Sequence, residues 1–270
     1  MTAAARSPHP RRARPERGEQ WAETSRCRVV AARRFGAFTA LELLAPEIAA
    51  VAWPGQFVMV KVPGSGFLLR RPFSVFTARG DRLGLLIEAR GPGSERLADA
   101  QVGEALDLAG PLGAGFPLEG VRTALLVGGG IGCAPLQILT DALAGRGVPV
   151  MAAFGFRDGR QARVAAAFDI ERLWVATEDG SVGRRGMVSD LLAALDAPPS
   201  ATVFCCGPAA MIAAVQRWAA GAGLRGYASL EAHMACGVGA CHGCVVATKR
   251  GALRVCSEGP VFALDEVVIP

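Results

Sequence analysis

The chain has 270 residues, of which 51% are hydrophobic and 20% charged, with a formal net charge of +5. That composition supplies a sizeable core and excludes global disorder, while the length suggests two domains or one with an appendage. Much of the positive charge lies in an N-terminal tail where Arg6, Arg11, Arg12, Arg14 and Arg17 alternate with prolines. With no apolar run, residues 1–22 read as a disordered extension, neither signal peptide nor membrane anchor.

Residues 23–120 are expected to form a small antiparallel β-barrel. Apolar or β-branched runs at 28–32, 39–44, 56–62, 73–77 and 82–89 are separated by turn signals such as Trp53-Pro54-Gly55 and Arg79-Gly80-Asp81. Two features there suit an anionic ligand. The run Arg70-Arg71-Pro72-Phe73-Ser74 places guanidinium groups at a strand start, although such an arginine is ordinarily a solvated edge residue. Gly93-Ser94-Glu95 opens a short helix after a glycine turn, where free N–H groups and a hydroxyl suit a phosphate.

Residues 121–226 read as a doubly wound, parallel α/β domain. The apolar run from Thr123 to Val127 ends in Gly128-Gly129-Gly130-Ile131-Gly132-Cys133-Ala134-Pro135, and a helix with Leu136, Leu139 and Leu143 follows. A strand, a glycine turn and a helix N-terminus let backbone approach a pyrophosphate. The G-x-G-x-x-G pattern is incomplete because Cys133 holds its last position, so a tight turn without a ligand stays open. Further strands are expected at 149–154, 173–177 and 202–206, which puts Cys206-Gly207-Pro208 at the ligand-binding end of the sheet. Arg157, beyond the second strand, suits either a 2′-phosphate or a solvated role.

Residues 227–270 carry Cys236, Cys241, Cys244 and Cys256 in the spacing C-x4-C-x2-C-x11-C. The first three match the plant-type spacing of a [2Fe-2S] cluster, which four thiolates hold. Gly237, Gly239 and Gly243 permit positive φ and bring N–H groups toward the sulfurs. Structural zinc is the rival, but zinc ribbons usually pair two C-x2-C knuckles and only one is present.

In this order, the Arg-x-Phe-Ser run, the Gly-Gly-Gly-x-Gly-x-Ala-Pro turn and Cys-Gly-Pro resemble the ferredoxin-reductase family of flavoproteins. With the cysteine quartet and the ending Cys256-Ser-Glu-Gly-Pro-Val-Phe262, the chain from Cys27 to Phe262 resembles the electron-transfer subunits of NAD-dependent, B-type dihydroorotate dehydrogenase. The resemblance implies a barrel that binds FAD, a sheet domain that binds NAD(H), and a small C-terminal [2Fe-2S] subdomain. It implies that Arg71 and Pro72 belong to the FAD site, with Arg71 holding the phosphates, and that Ser74 lies at the flavin N5. Phe73 and the backbone of Leu86, Ile87 and Glu88 would flank the flavin, with Gly93 and Ser94 on the pyrophosphate. Gly128, Gly129, Gly130 and Gly132 would bind the nucleotide, and Cys206, Gly207 and Pro208 would face the nicotinamide, Cys206 positioning the ring and not acting as a thiolate. The implied partner is an FMN-containing catalytic subunit, two copies of each chain forming a cytoplasmic heterotetramer in pyrimidine (UMP) biosynthesis, with no nucleic-acid or membrane partner. The alternative is the corresponding subunit of another NAD(P)H oxidoreductase, of ferredoxin:NADP, hydrogenase or sulfite reductase type.

Overall fold

The structure, a computed structural model, describes residues 22–64 and 66–269. Apart from Ala22, the Arg-rich tail lies outside the described residues. Six antiparallel strands, β1 (Ala22–Phe35), β2 (Phe38–Leu44), β3 (Phe57–Lys61), β4 (Arg71–Arg79), β5 (Arg82–Glu88) and β6 (Ala105–Leu112), close a barrel in the order β1-β2-β5-β4-β3-β6. Period-2 alternation drives this closure: Leu41 and Leu43 of β2, Leu83 and Leu85 of β5, and Leu106 and Leu108 of β6 all point into one buried core. Closing the sheet on itself leaves no unpaired edge.

The sequence runs anticipated five of these strands and missed β6, whose alternation is obscured by Asp107 and Gly110-Pro111. A short helix α1 (Pro46–Val51) also stands where a plain turn was expected, with Pro46 at its start and Ile48 buried. Helix α2 (Pro92–Ala98) begins one residue before the Gly93 expected to open it. Proline's fixed φ suits a first helical position, so Gly93 falls inside the first turn.

The second unit runs β7 (Thr123–Gly129), α3 (Ala134–Ala144), β8 (Val150–Phe156), α4 (Gly159–Ala162), β9 (Arg172–Thr177), β10 (Arg184–Arg185), α5 (Val188–Leu192), β11 (Ala201–Cys206), α6 (Ala209–Gly221) and β12 (Gly226–Ser229). After a hairpin of β13 (Val245–Thr248) and β14 (Gly251–Arg254), β15 (Val261–Ala263) returns to the same sheet. Strand order is β10-β9-β8-β7-β11-β12-β15, parallel throughout except that β15 runs antiparallel to β12. The chain winds outward from β7 to β10, then crosses back to lay β11 on the other side of β7. Their carboxyl ends therefore form a topological switch point, where open sheets of this kind bind ligands.

Barrel and sheet share an apolar seam. Phe38, Phe76 and Leu86 of the barrel pack in one cluster with Leu136, Leu139 and Phe154. Across the rim of that seam Arg79 forks onto Asp141 of α3, Nε–Oδ2 2.9 Å and Nη2–Oδ1 2.8 Å. The arginine is largely exposed, so the pair adds at most about 1 kcal/mol and the buried rings carry the contact. Strand β12 spans the division expected at 226/227, and β15 ties the cysteine segment back to the sheet. Among the described residues no helix is long and apolar enough to cross a membrane.

Candidate functional site

Arg71 is the first residue of β4, and its Nη1 donates to the Leu69 carbonyl at 2.7 Å. Gly93, in the first turn of α2, turns its bare Cα toward that guanidinium. A Cβ there would stand 3.2 Å from Arg71 Nε and 3.5 Å from Nη2. Arg71 and Gly93, more than twenty residues apart in the chain, are thus brought to one place, with room that a side chain would fill. Ser94 has a different task in the structure: its hydroxyl accepts the N–H groups of Arg90 (2.9 Å) and Gly91 (3.1 Å) and donates to the Gly91 carbonyl (3.0 Å). It fixes the turn that opens α2.

Pro72, Phe73 and Ser74 continue β4 opposite Met59, Val58 and Phe57 of β3, each half-buried. The side chains of Leu86 and Ile87 are buried in the protein core, which leaves only their backbone for a ligand. Glu88 reaches across the domain seam: it accepts from Arg90 Nε at 2.6 Å and from Gln161 Nε2 at 3.0 Å. Arg157 is exposed, with Nη2 3.9 Å from Glu88 Oε1.

At the switch point, the loops after β7 and β11 interlock through glycines. A Cβ on Gly132 would lie 2.4 Å from the Cys206 carbonyl oxygen, one on Gly129 2.7 Å from Met211 Sδ, and one on Gly128 2.9 Å from Phe154 Cδ1. A Cβ on Gly207 would come within 3.0 Å of the Gly129 backbone nitrogen. Packing alone therefore requires Gly128, Gly129 and Gly132. Gly130 differs: its φ is +55° and no atom lies within 4 Å of its Cβ position. It is the member of the run with open space at its Cβ position, shortly before α3, where a pyrophosphate would have room to approach. Pro208 caps α6 and packs beside Gly129.

Cys206 is buried at the end of β11, level with Ser229 of β12. Burial, reinforced by the charge of Glu231, pushes its thiol well above the ordinary cysteine range, against a smaller opposing effect from the Ser229 hydroxyl. The residue is a neutral thiol, in keeping with a positioning role. Iodoacetamide at about pH 8 is expected to leave Cys133, Cys205 and Cys206 unmodified in the folded protein and to label them after denaturation, as read by peptide mass spectrometry. Glu231 was not picked out from the sequence; the only signal was its place just past the carboxyl end of β12.

The four sequence-predicted cysteines come together, and each sulfur accepts a backbone N–H. Cys236 Sγ receives Val238 and Cys241 at 3.4 Å, Cys241 Sγ receives Gly243 at 3.4 Å, Cys244 Sγ receives Cys256 at 3.4 Å, and Cys256 Sγ receives Gly239 at 3.1 Å. Gly237 and Gly239 have φ of +72° and +80°, which turns their peptides inward. For Cys236, partial burial raises the thiol pKa but the amide donors and the Cys241 thiol outweigh it, and the net value falls to about 6. Cys256 is pushed up to about 12 by burial and by the neighbouring Cys244 thiol. The sulfurs thus form an outer pair, Cys236 with exposed Cys241, and an inner, buried pair, Cys244 with Cys256. Among the described residues no three His, Cys, Asp or Glu side chains converge as one ion would require, whereas a two-iron centre takes two ligands per iron. The donor set and the N–H groups aimed at sulfur fit such a centre. A Cβ on Gly237 would be 2.6 Å from Met59 Cγ, so the cysteine loop is seated on the barrel strand that pairs with Pro72 and Ser74.

Residues 231–268 match the family described as the iron-sulfur cluster binding domain of dihydroorotate dehydrogenase B. The chain is 37% identical over 234 residues to the electron transfer subunit of dihydroorotate dehydrogenase B (NAD(+)) of Listeria monocytogenes serovar 1/2a, covering 83% of this chain and 91% of that one. It is 39% identical over 229 residues to the Bacillus mycoides protein of the same name, covering 80% and 87%. Among solved structures, that of an NADH-dependent reduced ferredoxin-NADP oxidoreductase superposes with a TM-score of 0.81 at 25% identity over 92% of this chain and 91% of that one. Phthalate dioxygenase reductase shares the fold, with a TM-score of 0.57 at 20% identity over 72% and 64%. At those identities over most of its length, the chain belongs to the family of dihydroorotate dehydrogenase B electron transfer subunits.

Proposed function

We propose that this chain carries electrons from a dihydroorotate-oxidising partner to NAD+, using a [2Fe-2S] centre and FAD. The observation that carries the reading is the seating of three sites in one continuous body. The cysteine loop packs on β3 through Gly237 and Met59, β3 pairs with the β4 motif, and the barrel packs on the sheet whose switch point holds the glycine loops. Flavin exchanges electrons singly or as hydride and an iron–sulfur centre relays them one at a time, so this pair converts a single-electron supply into the hydride that nicotinamide accepts.

The residues position these groups. Arg71, anchored on the Leu69 carbonyl and facing Gly93, would hold the FAD phosphates, with Ser94 keeping the entry of α2 open beside them. Arg71→Ala is expected to weaken FAD binding by about 10- to 100-fold, the worth of a charge-assisted contact. Flavin retained through gel filtration checks this, and wild-type flavin content would refute it. Ser74 and Phe73 would border the flavin ring from β4, and Pro72 fixes the strand entry. At the switch point, Gly130 would admit the pyrophosphate of NAD(H). The neutral Cys206 thiol, with Gly207 and Pro208, would form the floor of the nicotinamide site, and Glu231 its carboxylate rim.

Cys241 and His242 are exposed, as is Val238. The outer cysteine pair therefore lies at the surface, where a partner subunit's flavin would exchange electrons. In this reading the partner is an FMN-containing catalytic subunit, in a cytoplasmic heterotetramer with two copies of each chain. The 37% and 39% identities to subunits named for dihydroorotate dehydrogenase favour that donor over the ferredoxin-NADP oxidoreductase relative at 25%. Anaerobically purified protein is expected to be yellow-brown, with FAD and about two irons per chain. A colourless protein carrying stoichiometric zinc would overturn the reading.

A further inference from the structure

One side chain holds the cysteine loop from behind. Arg254, the last residue of β14, donates from Nη1 to the Gly239 carbonyl at 2.7 Å. The same guanidinium forks onto Glu258, Nε–Oε2 3.0 Å and Nη2–Oε1 2.5 Å, and Glu258 Oε2 also accepts the Arg254 backbone N–H at 2.8 Å. Three guanidinium contacts, with the backbone N–H on the same carboxylate, thus fix the orientation of the group, and a planar fork used in this way has little freedom left. On its other side Gly239 donates its N–H to Cys256 Sγ at 3.1 Å, the shortest of the N–H···S contacts in the loop, the rest being 3.4 Å. Gly239 sits at φ +80°, where a Cβ would lie 3.1 Å from Ser257 Oγ and 3.4 Å from Arg254 Nη1. The residue has no room to turn, and its two polar groups are spoken for by Arg254 and Cys256.

We infer that Arg254 is a positioning residue for the two-iron centre: by fixing the Gly239 carbonyl it aims the Gly239 N–H at the inner ligand Cys256 and so raises the reduction potential of the centre. The inference rests on the [2Fe-2S] reading proposed above and adds to it the residue that tunes the site. Reduction adds negative charge to the iron–sulfur core, so hydrogen bonds to its sulfurs and cations beside it favour the reduced state. Arg254 bears on both terms: it holds the residue whose N–H meets Cys256, and its charge also acts on the sulfurs of Cys256 and Cys244. A simple hairpin brace is the plainer role for an arginine paired four residues away with a glutamate. It leaves unexplained why the third guanidinium donor reaches fifteen residues back to a carbonyl inside the cysteine loop.

The experiment is an EPR-monitored redox titration of the intact, cofactor-loaded protein as wild type, Arg254→Gln and Arg254→Lys, with iron, FAD and thermal midpoint measured alongside. Arg254→Gln is expected to keep its iron and to shift the electron equilibrium between the centre and FAD about tenfold away from the centre, a potential lower by about 59 mV for one electron. Arg254→Lys keeps a charge and one donor without the fork, and should fall between the two. A brace alone would lower the thermal midpoint and leave the potential where it was; that outcome overturns the inference. If Arg254→Gln loses its iron, Arg254→Lys decides alone, since an unchanged potential there overturns the inference and a lowered one supports it. A wild-type protein without a two-iron EPR signal would overturn the underlying reading, and this inference with it.

Discussion

Replacing Cys241 with serine should cut electron exchange with the partner subunit by more than about 100-fold, beyond the upper end of what disturbing even a supporting residue of a metal site does. NADH oxidation by an artificial dye should survive in the same variant. Cys241 is the exposed member of the outer pair, and its sulfur accepts the Gly243 N–H. A serine hydroxyl is a harder and far less acidic ligand, so a centre held by these cysteines would lack one of its four thiolates. Cys241 is exposed, and the loop meets β3 through Gly237 against Met59, so the barrel should tolerate the change. Dye reduction therefore reads the FAD and NAD(H) sites, and partner-dependent turnover reads the cluster. Equal loss of both activities would mean that the cysteine loop holds the fold together and is not only a relay.

Gly132→Ala should be the most damaging conservative change at the switch point. Its Cβ would lie 2.4 Å from the Cys206 carbonyl oxygen and 2.7 Å from the Gly207 Cα, and both obstacles are backbone. The loops after β7 and β11 would have to part, at a cost of about 1–3 kcal/mol, typical of overpacking. Displacing them by about 1 Å is enough to lower NADH-dependent turnover by about 100-fold. Gly130→Ala is the informative contrast: nothing obstructs its Cβ, yet φ is +55°, so it should cost only about 1–2 kcal/mol from backbone strain. Thermal midpoints and NADH–dye kinetics of the two variants separate packing from approach. A Gly132→Ala protein with wild-type stability and KM would refute the interlocked-loop account.

What could be read in the sequence was chemistry written in adjacent residues. Four cysteines at cluster spacing, glycines before a helix, and an arginine ahead of a strand keep their meaning wherever the chain goes. Five barrel strands and the βα alternation were visible for the same reason, since their periodicity is local. What escaped depends on contacts between distant segments. Strand β6 closes the barrel against β1 and β3, but Asp107 and Gly110-Pro111 hide its alternation. The return of β15 onto β12 is three residues long and has no period to detect. Glu231 and the Arg254–Glu258 fork look like ordinary surface charge until the fold sets them beside Cys206 and Gly239. The glycine run shows the converse: four residues read alike in sequence, yet packing demands three of them and open space singles out Gly130.

If electrons from dihydroorotate reach NAD+ through this chain, reconstitution with the catalytic subunit should yield the whole reaction. The purified, cofactor-loaded protein is combined with the catalytic subunit of the complex, and NADH formation is followed by its absorbance at about 340 nm after dihydroorotate is added. NAD+ reduction should require both subunits and disappear with Cys241→Ser. A complex that reduces NAD+ from another donor and ignores dihydroorotate would contradict it.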